Sequence, residues 1–196
     1  SPFFCNEIRF RHLHHPRIVH IFNFEPNRSL SFFKKDQKTS CMLLDYASHG
    51  DLKEFIQAKP KISNDEKLVR TLFSQLIEGL KYLHSQGVYH LDIKLSNLLI
   101  DGDYRLKIAD FDQAYISGDK EILSKGSYNY RAPELIKGEE ISNFAALDIY
   151  SAGVVLFTLK CRGQVPHNEG EGIKGFNLMK YLNLNSHEFW KSHCLL

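Results

Sequence analysis

Residues 90–97, His90-Leu91-Asp92-Ile93-Lys94-Leu95-Ser96-Asn97, bring a carboxylate, an ammonium and a carboxamide into one short stretch. Its flanks make it a connecting loop. Upstream, Leu68, Leu72, Leu76, Leu80 and Leu83 recur at three-to-four spacing, the period of a helix with one apolar face. Ser63-Asn64-Asp65-Glu66 reads as its capping box, hydroxyl first and carboxylate three later, and Gly87 marks its end. Downstream, Leu98-Leu99-Ile100 and Leu106-Lys107-Ile108 flank Asp101-Gly102, a turn pair that predicts a hairpin. Farther on, Ala145 to Cys161 is apolar nearly all round, so a helix buried on most sides is expected. Toward the other end, Phe3 to His14 has a helical pattern closed by Pro16, which disfavours helix at His15. Ile18 to Phe24 and Cys41 to Tyr46 are rich in β-formers, and the polar segment Pro26 to Ser40 is expected to connect them as a long hairpin link. Strands come first and helices later, an α+β order.

Composition removes several classes. The 196 residues are 43% hydrophobic and 24% charged, ordinary for one domain with a core. A net charge of +2 is too small an excess to make nucleic acid or an anionic membrane the main partner. No apolar run reaches the roughly 18 residues that a spanning helix needs. The most apolar stretch, Ala145 to Leu159, is too short and carries Asp148. Cys5, Cys41, Cys161 and Cys194 lie far apart, which disfavours a zinc site or a disulfide framework. With no secretory leader pattern, reduced thiols in a cytoplasmic protein are expected. His12, His14 and His15 cluster without a carboxylate at ligand spacing and read as structural. Gly163 to Gly175 reads as a polar surface loop, and the apolar residues from Phe189-Trp190 to Leu195-Leu196 as a terminus whose packing partners are missing.

Three further blocks follow the 90–97 loop in order. They are Asp110-Phe111-Asp112, then Gly126-Ser127-Tyr128-Asn129-Tyr130 running into Ala132-Pro133-Glu134, then Asp148-Ile149-Tyr150-Ser151-Ala152-Gly153. With these blocks the chain resembles the eukaryotic protein kinase family, of serine/threonine type, over about residues 3 to 190. A set of specified letters in fixed order is far more specific than a lone motif. The resemblance implies an α+β, protein-kinase-like fold, with a mostly helical C-terminal lobe and only a partial sheet in the N-terminal lobe.

The resemblance also implies roles. Phosphoryl transfer requires positioning and charge neutralisation more than covalent help. Asp92 would orient the acceptor hydroxyl and take its proton, and Lys94 would meet charge on the transferred group. Asn97 and Asp110 would offer the hard oxygens that Mg2+ prefers. Leu44 would be the gatekeeper, Asp45 and Ala47 would hold the adenine edge of ATP through backbone groups, Asp51 would lie near the ribose or a substrate side chain, and Leu99 would floor the adenine. Ser127 resembles the hydroxyl residue that contacts the catalytic aspartate and lysine. Asp148 resembles the residue that bonds the catalytic-loop backbone, though an N-cap explains it equally. Ser117 and Ser124 could take regulatory phosphate, and solvated loop serines explain them as well. The implied partners are ATP and a protein Ser/Thr hydroxyl.

Departures shape the remaining expectations. No glycine precedes Gly50 and no lysine precedes Lys34, so the family's glycine-rich phosphate loop and strand lysine are not in this sequence. The expectation is a single incomplete kinase domain over 1–196, with 1–46 a remnant of the N-terminal lobe and 47–196 a C-terminal lobe lacking its last helices. Glu7 is the acidic candidate for the first helix. It stands one residue from the expected place, and one residue turns a helix by about 100°, so it is expected to miss the nucleotide side. Glu134 normally pairs with a late arginine, and Arg162 comes too early for that. Leu91 replaces the usual arginine before Asp92, implying activation without loop phosphate, and Asp112 replaces a glycine. Leu95 and Ser96 replace common proline and glutamate, weakening the case for basic peptide substrates. The alternative function is a catalytically inactive, kinase-like scaffold with weak or no nucleotide binding. A helical peptide-binding domain without any nucleotide role is a third reading.

Overall fold

The computed structural model describes residues 6–32, 35–120, 122 and 126–166. Its centre is helix α2, Glu66–Ser85. Val69, Leu72, Leu76, Leu80 and Leu83 form its buried stripe, and fully burying each such side chain is worth about 1.5–3 kcal/mol. The helix is capped by Asp65, whose carboxylate accepts from Leu68 N at 2.9 Å. Ser63 is not the cap: it lies in a preceding 3-10 helix, Pro60–Asn64. The carboxylate adjoining the first helical residue reaches the free N–H groups, so the capping position falls two residues later than the hydroxyl pattern predicts. Beyond Ser85, Gly87 takes φ +68° and turns the chain away, as expected.

Helix α4, Phe144–Lys160, packs against α2 and begins at the N-cap Asn143. Leu147, Ala152, Val154, Val155 and Leu159 are buried, so the all-round apolar sequence does become an interior helix. Shorter helices are α1, Leu52–Ala58, capped by Asp51, and α3, Pro133–Lys137.

Among the described residues, three two-stranded antiparallel sheets accompany the helices. Strand β1, Ile21–Phe32, pairs with β2, Lys35–Leu44. This corrects the expected long connection from Pro26 to Ser40, because the strands run through it. Backbone ladders form without apolar side chains, and Pro26, which has no N–H to give, sits at a register shift between Glu25 and Arg28. Strand β3, Val88–Tyr89, pairs with β6, Tyr115–Ile116; β4, Leu98–Ile100, pairs with β5, Leu106–Ile108. The β4–β5 hairpin is as expected, but its turn is not a two-residue Asp-Gly. The connection runs from Asp101 to Arg105: Asp101 Oδ1 accepts from the amides of Asp103 and Arg105, each at 2.9 Å, and Tyr104, not Gly102, takes the left-handed conformation. Gly79 on α2 lets the hairpin come close, since a Cβ there would lie 2.8 Å from Ile108 Cδ1.

The N-terminal segment is a 3-10 helix at Asn6–Phe10. Phe3, the loop beyond Pro166, and the apolar residues at the C-terminus lie outside the described residues. Among the described residues no helix is long and apolar enough to cross a membrane.

Candidate active site

Asp148 anchors the site. Fully buried inside α4, it accepts from Leu91 N at 2.8 Å through Oδ1, and from His90 N and His84 Nε2, each at 2.9 Å, through Oδ2. The N-cap explanation fails, because Asn143 caps α4. These bonds hold Leu91 at φ +59°, a sparsely populated conformation for a branched side chain, directly before Asp92. His90 is also fully buried. Its Nδ1 accepts from Asp92 N at 3.3 Å, so Nε2 carries the proton donated to Ala109 O at 2.9 Å.

Asp92 is only 7% exposed, and both oxygens of its carboxylate accept hydrogen bonds. Oδ2 accepts from Lys94 Nζ at 2.7 Å and from Asn97 Nδ2 at 3.2 Å; Oδ1 accepts from Ser127 N at 2.8 Å. Burial pushes its pKa up, but the Lys94 ammonium and the Ser127 donors outweigh burial and hold the carboxyl below its ordinary range. Lys94 Nζ also donates to Ser127 Oγ at 3.1 Å, so Asp92, Lys94 and Ser127 form one closed group.

Gly126 makes this closure possible. At φ +73° a Cβ would overlap the Leu91 carbonyl oxygen. Arg131 clasps the same turn, donating from Nε and Nη2 to Gly126 O at 2.9 and 2.6 Å.

Asn97 and Asp110 meet through the backbone. Asn97 donates Nδ2 to Asp92 O at 3.0 Å as well as to its carboxylate, which leaves Oδ1 as the acceptor face of the amide. Ala109 N donates to Asn97 O at 2.9 Å, placing Asp110 beside it. Asp110 is exposed and takes φ +65°, a conformation aspartate tolerates better than most residues. An amide oxygen and an exposed carboxylate are hard donors of the kind that suits Mg2+.

Glu7 lies against the segment that carries Asp110. It is buried against Asp110-Phe111-Asp112. Its carboxyl pKa is raised, first by burial and then by the Asp112 charge, while the backbone amides of Phe111 and Asp110 pull the other way. The segment that carries it is a 3-10 helix, with three residues per turn, not an α-helix. Asn6 beside it fastens the same segment: Nδ2 lies 3.1 Å from Phe111 O and from Asp112 O, and 2.9 Å from Ala114 O. Arg9 pairs with Asp119 at 2.7 Å.

Of the hinge candidates, Asp45 and Asp51 contact the β4–β5 hairpin, to which Leu99 itself belongs. Leu44 ends β2 opposite Ile21. Asp45 accepts through Oδ2 from Lys107 Nζ at 2.8 Å and from His20 N at 3.0 Å, and burial of its carboxyl is outweighed by those donors, which lower its pKa. Ala47 O accepts from Gly50 N at 3.2 Å. Asp51 bridges Leu99, which itself faces Lys107 across the hairpin. Asp51 Oδ1 is committed to capping α1, accepting from Glu54 N at 2.8 Å. Glu134 sits in the first turn of α3, half-buried, and among the described residues no cation pairs with it. Ser117 is exposed, and Ser124 lies outside the described residues.

Sequence reasoning gave no role to His90, Gly126 or Asn6. The first two stood inside quoted blocks, and Gly126 directly before Ser127 was a legible turn signal; Asn6 carried none. Beside Lys94 and Ser127 opens a cleft of about 670 Å³, lined also by Lys53, Ile56, Gln57, Tyr128 and Arg131.

Known proteins share this arrangement of sequence. The chain is 38% identical over 130 residues to the carbon catabolite-derepressing protein kinase of Secale cereale, covering 65% of this chain and 25% of that protein. It is 34% identical over 163 residues to the probable serine/threonine-protein kinase KCC4 and to the serine/threonine-protein kinase GIN4 of Saccharomyces cerevisiae, covering 82% of this chain and 14% and 13% of theirs. It thus spans a quarter or less of these relatives' length. The protein kinase domain description matches residues 4–192, nearly the whole sequence. The chain belongs to the protein kinase domain family.

Proposed function

We infer that this chain forms the catalytic part of a serine/threonine protein kinase, transferring the γ-phosphoryl group of ATP to a protein hydroxyl. The observation that carries this reading is the Asp92 carboxylate, held on one oxygen by Lys94 Nζ and on the other by Ser127 N, two residues that line an open cleft. A carboxylate so fixed can accept the hydroxyl's hydrogen bond, orient its oxygen and take its proton as the new bond forms. Lys94 balances the negative charge gathered there, and Ser127 Oγ fixes the ammonium. Asn97 Oδ1 and Asp110 are the groups that would hold Mg2+. The ion, when bound, supplies neutralisation of phosphate charge. Leu44, Leu99 and the backbone of Asp45 and Ala47 are the groups proposed to border the adenine, with Asp51 near the ribose. Glu7 keeps the Asp110 segment in place, and Asp148 holds the loop that carries Asp92. Scattered cysteines, with no closely spaced pair in the sequence, fit a cytoplasmic setting.

The test is transfer of labelled phosphate from Mg·ATP to a mixed protein substrate by the full-length protein, followed by phosphoamino-acid analysis. Phosphoserine and phosphothreonine are expected, and Asp92→Asn is expected to lower kcat by about 10²–10⁴. ATP binding without any transfer by the unchanged protein would instead assign a scaffold.

A further inference from the structure

The cleft beside Asp92 has an uneven charge. Its lining includes the cations Lys53, Lys94 and Arg131, and among the described residues no aspartate or glutamate lines it. Two of these cations are already engaged: Lys94 is bonded to Asp92, and Arg131 donates to Gly126 O while lying 5.6 Å from the Tyr128 ring. Lys53, on the exposed face of α1, makes no ion pair among the described residues. The acids nearest it in sequence are turned to other tasks. Asp51 caps α1, and the carboxylate of Glu54 lies against Gly50. The Asp92 carboxylate is neutralised by its own ammonium partner. A peptide entering the cleft therefore meets a lysine that makes no ion pair among the described residues, beside an apolar wall formed by Ile56 and Leu95.

We propose that this cleft selects acceptor peptides carrying an anionic side chain, a carboxylate or a phosphate, close to the acceptor hydroxyl, with Lys53 as the residue that reads it. This rests on Asp92 facing that hydroxyl. An anion gains a charge-assisted bond from Lys53, whereas a lysine or arginine there meets like charge. Specificity of this kind comes as much from the rejected peptide as from the favoured one.

The experiment measures binding, so it does not depend on turnover. Fluorescent peptides with one central serine, flanked by aspartate, by phosphoserine or by lysine, are titrated with the full-length protein and followed by anisotropy. Both anionic peptides are expected to bind about tenfold tighter than the lysine peptide at low salt, with the gap narrowing as salt screens the pair. Phosphoserine binding more tightly than aspartate identifies a previously phosphorylated substrate; equal affinity identifies an acidic one. Lys53→Glu is expected to erase the preference with the thermal midpoint unchanged, and Lys53→Ala to reduce it. Equal affinity for all three peptides, preference for lysine, no binding, or indifference to Lys53→Glu overturns the proposal. Selectivity retained without phosphate transfer overturns the kinase reading alone, and transfer without selectivity overturns this one alone.

Discussion

Replacing Asp148 tests whether one buried carboxylate holds the loop over residues 90–97. The side chain accepts from Leu91 N, His90 N and His84 Nε2 at 2.8–2.9 Å, and all of it is shielded from water. Hydrogen bonds to a charged group contribute about 1.5–3 kcal/mol each, and a buried donor left unpaired costs about 1–3 kcal/mol. Asp148→Asn keeps the shape but has only one carbonyl oxygen, so its NH2 group must face one of the two backbone N–H donors. The expected loss is about 2–3 kcal/mol. Asp148→Ala abandons all three donors and releases the strained Leu91, for an expected loss of about 4–5 kcal/mol. Against a total stability of about 5–15 kcal/mol, the second substitution brings a domain close to unfolding. Urea unfolding of the full-length protein measures both. Asp65→Ala serves as the comparison, because it removes a solvent-exposed helix cap worth about 1 kcal/mol. An Asp148→Asn midpoint equal to that of the unchanged protein refutes the reasoning. So does an Asp148→Ala loss no larger than that of Asp65→Ala.

Four further outcomes follow from the same geometry. Gly126→Ala places a Cβ on the Leu91 carbonyl oxygen at positive φ and is expected to cost more than about 2 kcal/mol and most of the activity, read by unfolding and phosphate transfer. Lys94→Met removes the main partner opposing burial, so the Asp92 pKa should rise, seen as an acid limb of the pH–rate profile moving toward neutral pH. In the unchanged protein the lowered Asp92 pKa contributes stability that is present above its unfolded value near 3.8 and is lost as pH falls through the folded value. Glu7 has the opposite sign: its raised pKa means that ionisation weakens the fold as pH climbs above the unfolded value of 4.5, so Glu7→Gln should stabilise at neutral pH, with the gain vanishing below that value in urea titrations. Asn6→Ala should destabilise more than Arg9→Ala, because Asn6 serves carbonyls of a part-buried loop while the Arg9–Asp119 pair is partly exposed and worth about 1 kcal/mol or less.

The four ordered blocks were enough to assign the family, because several specified residue types in fixed order rarely coincide by chance. Periodicity likewise located α2 and α4, since one buried stripe and one all-apolar segment leave few alternatives. Local rules failed where two neighbours could serve equally. Ser63 and Asp65 both match a cap signal, and only the true helix start chose Asp65. Pro26 reads as a break in a strand, yet a register shift absorbed it.

What local chemistry could decide, the linear order decided: which side chains carry charge, where apolar faces fall, and which family the motifs match. Tertiary structure alone settled the status of Asp148, Glu7 and Gly126. Each acts on residues distant in sequence, and neither side-chain type nor spacing reveals whether a carboxylate is buried against backbone N–H groups or left in water. Packing of α4 against α2 and the catalytic loop makes that choice, because burial and partner geometry, unlike residue identity, exist only once the chain has closed on itself.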